Sequence, residues 1–296
     1  MRHVLTRRCP VESLAACAGE DWVDPSRRPF VEGDTAWIPV RDGYEFDEVL
    51  PARTRRDGRG YQRLGDLVLF HGPEPDAASI REAVARCSPR GVLWIRGHAG
   101  AERLPEVNVI AGEGGETVCR EDGLAYRLDP ERVMFSQGNR NEKRRLAALV
   151  RPGERLGDLF AGIGYFSLPA ARAGAHIHAM ELNPTAFAFL EKNIALNGLA
   201  DRVNASYGDC RDLLSGTYDR LVLGHFDSPA FLEVALAHVR AGTVIHLHAL
   251  ERTPGELSPS LDATVTSCGY AIASSVRRVK KYAPGRSHTV HDLVIQ

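Results

Sequence analysis

The stretch Arg155–Gly164, RLGDLFAGIG, decides the fold of this chain. Its first half, Leu156–Phe160, has the apolar character of a short strand. Gly162 and Gly164 then allow a sharp backbone turn and the close approach of a ligand, and a helix is predicted over Tyr165–Arg172. A strand, a glycine turn and a helix in this order predict the first unit of a doubly wound α/β sheet that binds a nucleoside or nucleotide.

Three acidic residues mark the predicted strands of this half of the chain. Asp158 belongs to the first strand. Glu181 follows the apolar stretch Ile177–Met180, and Asp209 follows Val203–Gly208. Glu181 is expected to accept hydrogen bonds from two ribose hydroxyls, and Asp209 one from an adenine amino group. Because a third glycine at the dinucleotide spacing is missing, the pattern favours S-adenosylmethionine over NAD; a glycine turn in an unrelated α/β protein is the alternative.

The composition is that of an ordinary soluble protein. The 296 residues suffice for two domains, and 44% of them are hydrophobic and 25% charged. The net charge of −1 neither indicates nor excludes a nucleic-acid partner. The chain has no apolar stretch that approaches a membrane span, and its six cysteines include no Cys-x-x-Cys pair. We therefore expect no membrane association, no zinc site, no disulfide framework and a cytoplasmic location.

Positive charge is concentrated in three short clusters. Such clusters are usually solvated faces, but three of them in one near-neutral chain also point to RNA. The first contains Arg53, Arg55, Arg56, Arg59 and Arg63, the second Arg140, Lys143, Arg144, Arg145, Arg151 and Arg155, and the third Arg277, Arg278, Lys280, Lys281 and Arg286.

The chain changes character near residue 130. Before this point, short β-like runs and one predicted helix, Ala77–Arg86, are separated by turns rich in Gly, Pro and Arg, which predicts a small α+β domain over residues 1–130. Residues 131–296 alternate between strand and helix patterns, with Asn183 and Pro184 as a good N-cap and first helical position. Two strand-like runs in the tail complete a doubly wound, Rossmann-like sheet with a final antiparallel strand.

Five segments form a combination far more specific than the glycine turn alone. They are Glu116–Gly123 (ETVCREDG), Met134–Lys143 (MFSQGNRNEK), Asp158–Phe166 (DLFAGIGYF), Met180–Pro184 (MELNP) and Lys280–His288 (KKYAPG…H). From about Asp66 to its C-terminus, the chain resembles the family of tRNA guanine N1-methyltransferases and wybutosine-synthesizing aminocarboxypropyltransferases of archaea and eukaryotes. The resemblance implies the class I methyltransferase fold and S-adenosylmethionine as the group donor.

Two places separate the branches of this family. The methyltransferases carry Phe-Ser-Pro-Arg-Leu where this chain has Phe135–Asn139, and Asn-Leu-Pro where it has Gly224–Phe226. The aminocarboxypropyltransferases carry Phe-Ser-x-Gly-Asn-x-x-Glu-Lys, an Ile-His-x-His strand and a Tyr-Ala-Pro link. Phe135–Lys143, Ile245–His248 and Tyr282–Pro284 match these three patterns. The resemblance therefore favours the aminocarboxypropyltransferase branch.

This resemblance implies a tRNA-modifying transferase. It would move the 3-amino-3-carboxypropyl group of S-adenosylmethionine to C7 of 4-demethylwyosine at position 37, in the anticodon loop of tRNA-Phe. Residues 1–130 would bind and position the tRNA, and residues 131–296 would hold the cofactor. The alternatives are N1-methylation of guanosine at the same position and, from another class, a non-catalytic tRNA- or nucleoside-binding module. Acidic residues at three strand ends argue against the last, since a degenerate site has no reason to retain them.

The candidate site residues follow from the glycine turn and from the resemblance. Asn139 and His225 are the predicted catalytic residues, because they lie where the methionine arm and the acceptor base are expected to meet. The resemblance adds Ser136 and Lys143, and the Lys143 ammonium is expected to pair with the methionine carboxylate. The predicted cofactor-binding residues are Ser136, Lys143, Asp158, Phe160, Gly162, Gly164, Glu181, Asp209 and Cys210.

Simpler interpretations stay open for several residues. Lys143 lies among other basic residues of a predicted helix, which is typical of a solvated side chain. Ser136 and Asn139 are suited to cap that helix. His246 and His248 share one face of a strand, where core packing is favoured over metal ligation because no third ligand of matching spacing is present. No metal site is predicted.

Overall fold

The chain divides into two units, Met1–Arg59 and Gly60–Gln296. A computed structural model describes residues 3–17, 19–25, 27, 29–32, 34–51, 60–100, 104–135, 137–283 and 285–296.

The first unit is built on a small antiparallel sheet. Its elements are β1 (His3–Pro10), α1 (Leu14–Cys17), β2 (Phe30–Glu32), β3 (Thr35–Pro39) and β4 (Glu48–Pro51). The strand order is β2-β3-β1-β4. Ala36 and Ile38 of β3 are buried while Thr35 and Trp37 are more exposed, as expected when side chains alternate between the two faces of a strand.

The second unit begins with another four-stranded sheet and a hairpin. The elements are β5 (Tyr61–Leu64), β6 (Leu67–His71), α2 (Ala77–Cys87), β7 (Gly91–Ala99), β8 (Leu104–Gly112), β9 (Thr117–Glu121) and β10 (Leu124–Leu128). The sheet has the order β5-β6-β7-β8, and β9 pairs with β10. The carboxylate of Asp76 accepts a hydrogen bond from Ser79 N at 2.7 Å and caps α2, which confirms the helix predicted here.

The structure does not divide the chain near residue 130, where the sequence pattern predicted a domain boundary. Leu67 and Tyr126 lie before that point, and Leu156 lies after it, yet all three belong to one buried hydrophobic cluster. The side-chain oxygen of Asn193 also accepts a hydrogen bond from Arg127 N at 2.7 Å across the same point. Shared burial of apolar surface thus joins residues 60–130 to residues 131–296 in one unit. The boundary between the two units lies after residue 59.

The dominant element is a seven-stranded sheet. Its strands are β11 (Arg155–Asp158), β12 (His176–Glu181), β13 (Val203–Tyr207), β14 (Arg220–Leu223), β15 (Val244–Glu251), β16 (Ile272–Ala283) and β17 (Arg286–Ile295). The order is β13-β12-β11-β14-β15-β17-β16. The first five strands in this order are parallel, and β17 is antiparallel to both of its neighbours. This confirms the predicted doubly wound, Rossmann-like α/β sheet with its antiparallel strand.

Within the described residues, six α-helices accompany this sheet. They are α3 (Arg140–Leu149), α4 (Ser167–Arg172), α5 (Pro184–Leu196), α6 (Cys210–Leu213), α7 (Leu232–Leu236) and α8 (Ser258–Ser267). Asn183 caps α5 by accepting hydrogen bonds from Thr185 N and Ala186 N at 2.8 and 3.1 Å, as its position before Pro184 predicted. The helix predicted from Tyr165 begins at Ser167 instead, because the glycine turn extends to Phe166.

The order of the strands locates the functional edge. The chain runs from β11 outward to β13 and then returns to place β14 on the other side of β11. Ligands of open α/β sheets bind at such a reversal, outside the carboxyl ends of the strands. No helix in the described part of the chain is long and apolar enough to cross a membrane.

Candidate active site

A cavity of about 570 Å³ lies at this reversal of the sheet. Its volume falls within the range of roughly 300–1,000 Å³ that is usual for small-molecule sites. The predicted site residues that line it are Asn139, Phe160, Gly162, Glu181, Asp209, Cys210 and His225.

Glu181 is held in place at the end of β12 by two backbone amides. Its Oε2 accepts a hydrogen bond from Gly162 N at 2.7 Å, and its Oε1 accepts one from Asn183 N at 2.7 Å. Gly162 adopts φ 57°, a left-handed conformation that favours glycine, so the turn presents its amide to the carboxylate. The carboxylate is therefore preorganised at the cavity wall, where a ribose would meet it.

Asp209 stands at the end of β13 and caps α6. Its Oδ1 accepts a hydrogen bond from Arg211 N at 2.9 Å, and its carboxylate is paired with the Arg211 guanidinium at 2.5 Å. Hydrogen bonding from Arg211 lowers the pKa of Asp209, so this carboxylate is ionised at neutral pH. The neighbouring Cys210 is buried, and burial raises the pKa of its thiol to about 12, which makes it a neutral packing group.

Two predicted cofactor-binding residues shape the turn but do not line the cavity. Asp158 is fully buried, and its Oδ2 accepts a hydrogen bond from Ser167 Oγ at 2.7 Å. Burial raises the pKa of Asp158 to about 6, and the bond from Ser167 opposes that rise. Gly164 has φ 102°, and a Cβ there would lie 2.7 Å from a side-chain carbon of Leu168. Both residues shape the turn from outside the cavity wall, and their contact with the ligand stays a prediction.

Lys143 is neither solvated nor part of the cavity wall. Its side chain is 2% exposed, and its Nζ lies 2.5 Å from Glu121 Oε1. The rings of Tyr126, Phe135 and Tyr165 surround the ammonium, with centroids 5.4–5.8 Å away. The interpretation of Lys143 as a solvated residue is therefore wrong. The hairpin residue Glu121, which the sequence marked only as part of the ETVCREDG segment, already pairs with the charge that was expected to bind the methionine carboxylate.

Asn139 lines the cavity, and its side-chain oxygen Oδ1 is buried. It occupies the N-cap position of α3, but its side chain makes no capping hydrogen bond. Its Oδ1 is buried and has no hydrogen-bond partner among the residues that the structure describes. Buried polar groups are normally paired, so an unpartnered acceptor in a cavity wall points to a ligand. Ser136, the other candidate of this segment, lies outside the described residues.

His225 follows β14 and also lines the cavity. Its Nδ1 accepts a hydrogen bond from Asp227 N at 3.2 Å and lies 3.5 Å from Asp227 Oδ2. Its ring packs on Phe160, with centroids 5.5 Å apart. Because Nδ1 accepts the backbone bond, the neutral ring carries its hydrogen on Nε2. His225 thus offers the cavity a hydrogen-bond donor.

Several lining residues were missed from the sequence. Gln62 and His71 come from β5 and β6, and no local pattern connects them with the glycine turn. The Nε2 atom of Gln62 is buried and lacks a hydrogen-bond partner within the described ranges. Lys280 and Tyr282 also line the cavity, and their place in the KKYAPG segment was the signal that could have identified them.

The second basic cluster is largely neutralised by acids. Arg140 and Arg144 both bind Asp122, at 2.8 and 2.5 Å. Hydrogen bonds from Arg144 and Arg140 hold the pKa of that carboxyl well below its usual range. Arg145 is mostly buried and binds Asp292 at 2.6 Å. This part of the surface therefore offers less uncompensated charge than the sequence suggested.

The third basic cluster lies mainly on β16, the outer strand of the seven-stranded sheet, and Arg286 begins the neighbouring strand β17. Arg278 and Lys281 are exposed there, whereas Lys280 is half-buried and lines the cavity. Of the first cluster, Arg53 to Arg59 lie outside the described residues. The third cluster thus forms a basic surface that adjoins the cavity.

His246 and His248 of β15 are both buried. The Nδ1 of His246 lies 2.6 Å from Asp292 Oδ1, and the Nδ1 of His248 lies 2.9 Å from His288 Nε2. The described part of the chain contains no group of three His, Cys, Asp or Glu side chains placed to hold a metal ion. Both histidines therefore belong to the polar core of the sheet.

The cavity fits an adenosyl-sulfonium ligand. Glu181 and Asp209 stand at strand ends where ribose and adenine would be recognised. Phe160 and Phe231, with centroids 4.9 Å apart, supply an apolar wall. The Asn139 acceptor, which has no hydrogen-bond partner in the described part of the chain, suits the methionine ammonium.

Comparison with known proteins agrees with this geometry. The profile of the TRM5/TYW2 methyltransferase domain matches residues 117–262. A protein of Methanocaldococcus jannaschii named tRNA(Phe) (4-demethylwyosine(37)-C(7)) aminocarboxypropyltransferase is 35% identical over 244 residues, which cover 79% of this chain and 97% of the relative. A Pyrococcus horikoshii protein of the same name is 34% identical over 84% of this chain and 91% of its own length.

A solved structure extends the comparison to three dimensions. The crystal structure of P. horikoshii TYW2 in complex with MeSAdo matches with a TM-score of 0.68 and 30% identity, covering 79% of this chain and 90% of that one. The sequence identity and the structural match both extend across most of the two chains. The chain therefore belongs to the TRM5/TYW2 methyltransferase family.

Proposed function

We propose that this protein is an S-adenosylmethionine-dependent tRNA aminocarboxypropyltransferase. It transfers the 3-amino-3-carboxypropyl group to C7 of 4-demethylwyosine at position 37 of tRNA-Phe, the reaction for which its relatives are named. The observation that carries this assignment is the meeting of two branch-typical segments at the cavity. Gly138 of the QGN segment lies against Lys280 of the KKYAPG segment, and a methyl group on Gly138 would overlap Lys280 Nζ. A larger residue would displace this ammonium, which agrees with the glycine of the aminocarboxypropyltransferase pattern.

The adenosine half of the cofactor is assigned to the ends of β12 and β13. Glu181, fixed by the amides of Gly162 and Asn183, accepts hydrogen bonds from the ribose hydroxyls. Asp209, whose pKa is lowered by Arg211, accepts a hydrogen bond from the adenine amino group. Phe160 and the neutral Cys210 complete the apolar surroundings.

The methionine arm is assigned to the wall formed by Asn139 and Lys280. When bound, the sulfonium supplies three electrophilic carbons, and the one held in line about 3–3.5 Å from the acceptor reacts. Asn139 Oδ1 accepts a hydrogen bond from the methionine ammonium. The methionine carboxylate pairs with Lys280, which lines the cavity. Lys143 is not assigned to the carboxylate, because its ammonium pairs with Glu121. Holding both polar groups fixes the chain, so that its γ-carbon faces the acceptor.

The acceptor is assigned to the anticodon-loop region of tRNA. His225, with its Nε2–H donor, stands on the acceptor side of the cavity. We assign the positioning of tRNA to residues before 130, where Met1–Arg59 carries the exposed Arg8 and Arg41. Six unpaired cysteines and a tRNA substrate support a cytoplasmic location.

The test uses two labelled cofactors, one carrying the isotope in the methyl group and one in the carboxyl-bearing chain. With tRNA-Phe that bears 4-demethylwyosine, we expect only the chain label to enter tRNA and methylthioadenosine to be released. The matched control is tRNA-Phe with unmodified guanosine at position 37, which we expect to remain unlabelled. Entry of the methyl label into the control tRNA, with release of S-adenosylhomocysteine, would show that the enzyme is a guanosine N1-methyltransferase.

A further inference from the structure

The cavity extends beyond the part that the cofactor residues occupy. Glu181 and Asp209 mark one end, beyond β12 and β13. Phe226, which follows β14, and Tyr282, near the end of β16, mark the other end on the opposite side of β11. The second end is therefore built by strands that take no part in binding adenosine.

The two aromatic rings at this end form a corner. Their centroids are 5.0 Å apart and their planes meet at 76°. Tyr282 is 46% exposed, which leaves much of its surface open to the cavity and to solvent. A flat ligand that stacks on the Tyr282 ring would meet the Phe226 ring edge to face, a favourable geometry for aromatic pairs.

The Phe226 side of this corner is rigidly backed. The buried ring of His288 packs on Phe226 at 5.0 Å, and His288 Nε2 lies 2.9 Å from His248 Nδ1. Burial, followed by the neighbouring His288, lowers the pKa of His248 well below its usual value, so His248 is neutral near neutral pH. Phe226 therefore packs against a buried histidine that is itself held by a neutral ring.

The strand that carries Tyr282 also supplies charge. Lys280 and Tyr282 are two residues apart on β16 and both line the cavity, whereas Lys281 is exposed. An aromatic platform beside cations is the usual combination in sites for unpaired nucleotides, where bases stack on aromatic rings and the backbone meets Lys or Arg.

We propose that Phe226 and Tyr282 form the binding corner for the acceptor nucleobase, a purine-type base turned out of the RNA strand. The base stacks on Tyr282 and meets Phe226 at its edge. This inference rests on the proposed function for the identity of the RNA, but not for the group that is transferred. An enzyme that acts on a base must take it out of the stack, and an aromatic corner repays part of that cost.

The test follows base stacking directly and does not depend on catalysis. An anticodon stem-loop of tRNA-Phe with the fluorescent base 2-aminopurine at position 37 is bound by the full-length protein at saturating methylthioadenosine. Stacking on an aromatic ring quenches 2-aminopurine. We expect low emission with the wild type and with Tyr282→Phe, and several-fold higher emission with Tyr282→Ala and Phe226→Ala. Tyr207→Ala is the matched control, because Tyr207 is 55% exposed but does not line the cavity.

Affinity provides a second measurement. Loss of a base–aromatic stack lowers affinity for the stem-loop by about five- to hundredfold. We expect this loss for Tyr282→Ala and Phe226→Ala, with methylthioadenosine affinity unchanged in calorimetry. If the folded alanine variants match Tyr207→Ala in both emission and affinity, Phe226 and Tyr282 do not bind the acceptor base, even if the chain label still enters tRNA. If the emission pattern holds while no chain label is transferred, the corner stands and the proposed reaction is wrong.

Discussion

Asn139 and Lys143 lie four residues apart, yet their environments are opposite. Asn139 stands at the start of α3 and lines the cavity with a buried acceptor that no described residue contacts by a hydrogen bond. Lys143 lies one turn later and is enclosed by three rings and the carboxylate of Glu121. Glu121 belongs to the hairpin β9–β10. Its ion pair with Lys143 keeps Lys143 in the core, whereas Asn139 lines the cavity.

At the residue scale, Glu181→Ala should weaken S-adenosylmethionine binding at least tenfold in calorimetry. The ribose would lose a charged acceptor worth roughly 1.5–3 kcal/mol. The amide of Gly162 would also lose its partner, which loosens the turn. Glu191→Ala, an exposed change on α5, is the control and should leave the affinity unaltered. Equal affinity of a folded Glu181→Ala variant would remove this carboxylate from the site.

At the element scale, α3 is tied to the sheet by a mostly buried ion pair. Arg145 of α3 binds Asp292 of β17 at 2.6 Å, and Asp292 also contacts His246 of β15. Burial alone would raise the pKa of Asp292, but hydrogen bonds from His246 and Arg145 lower it to about 2. This tie joins the helix that carries the Asn139 wall to the sheet that carries the cofactor residues.

The ion pair between α3 and β17 should make the stability of the fold depend on pH. Because the pKa of Asp292 is lower in the folded state, its stabilisation is complete above the unfolded value near 4 and is lost as the pH falls toward 2. Asp292→Asn should lower the unfolding free energy at pH 7 by roughly 2–3 kcal/mol in urea denaturation. This difference should shrink between pH 4 and pH 2.5. The exposed Asp262→Asn on α8 is the control, and a pH-independent difference would contradict this role of Asp292.

At the scale of the whole molecule, charge is distributed unevenly although the net charge is −1. Arg140, Arg144 and Arg145 are compensated by Asp122 and Asp292. The outer strand β16 instead leaves basic side chains exposed next to the cavity mouth. Charged side chains on an edge strand also prevent its pairing with other chains, so the same residues are suited to two tasks.

Neutralising this edge should affect tRNA binding through salt. The double variant Arg278→Ala, Lys281→Ala should bind tRNA more weakly and reduce the slope of log affinity against log salt by about one for each phosphate that the variant no longer neutralises. Lys192→Ala is the control, since Lys192 is partly exposed but paired with Glu116 at 2.9 Å. An unchanged slope in filter binding would make the β16 edge an ordinary solvated surface.

Features that depend on neighbouring residues could be predicted from the sequence. The glycine turn, the cap of α5 at Asn183 and the acidic ends of β12 and β13 all rest on local backbone preferences, which is why they were predicted correctly. The doubly wound sheet was predictable too, because parallel strands joined by helices have few arrangements.

Which distant side chains meet could be read from the folded chain but not from its sequence. The pairing of Lys143 with Glu121, the approach of Lys280 to Gly138 and the arrival of Gln62 in the cavity wall each join segments far apart in the chain. The same holds for the boundary at residue 59, which depends on a hydrophobic core shared across residue 130. Such contacts arise from the packing of whole elements, and spacing along the chain does not encode them.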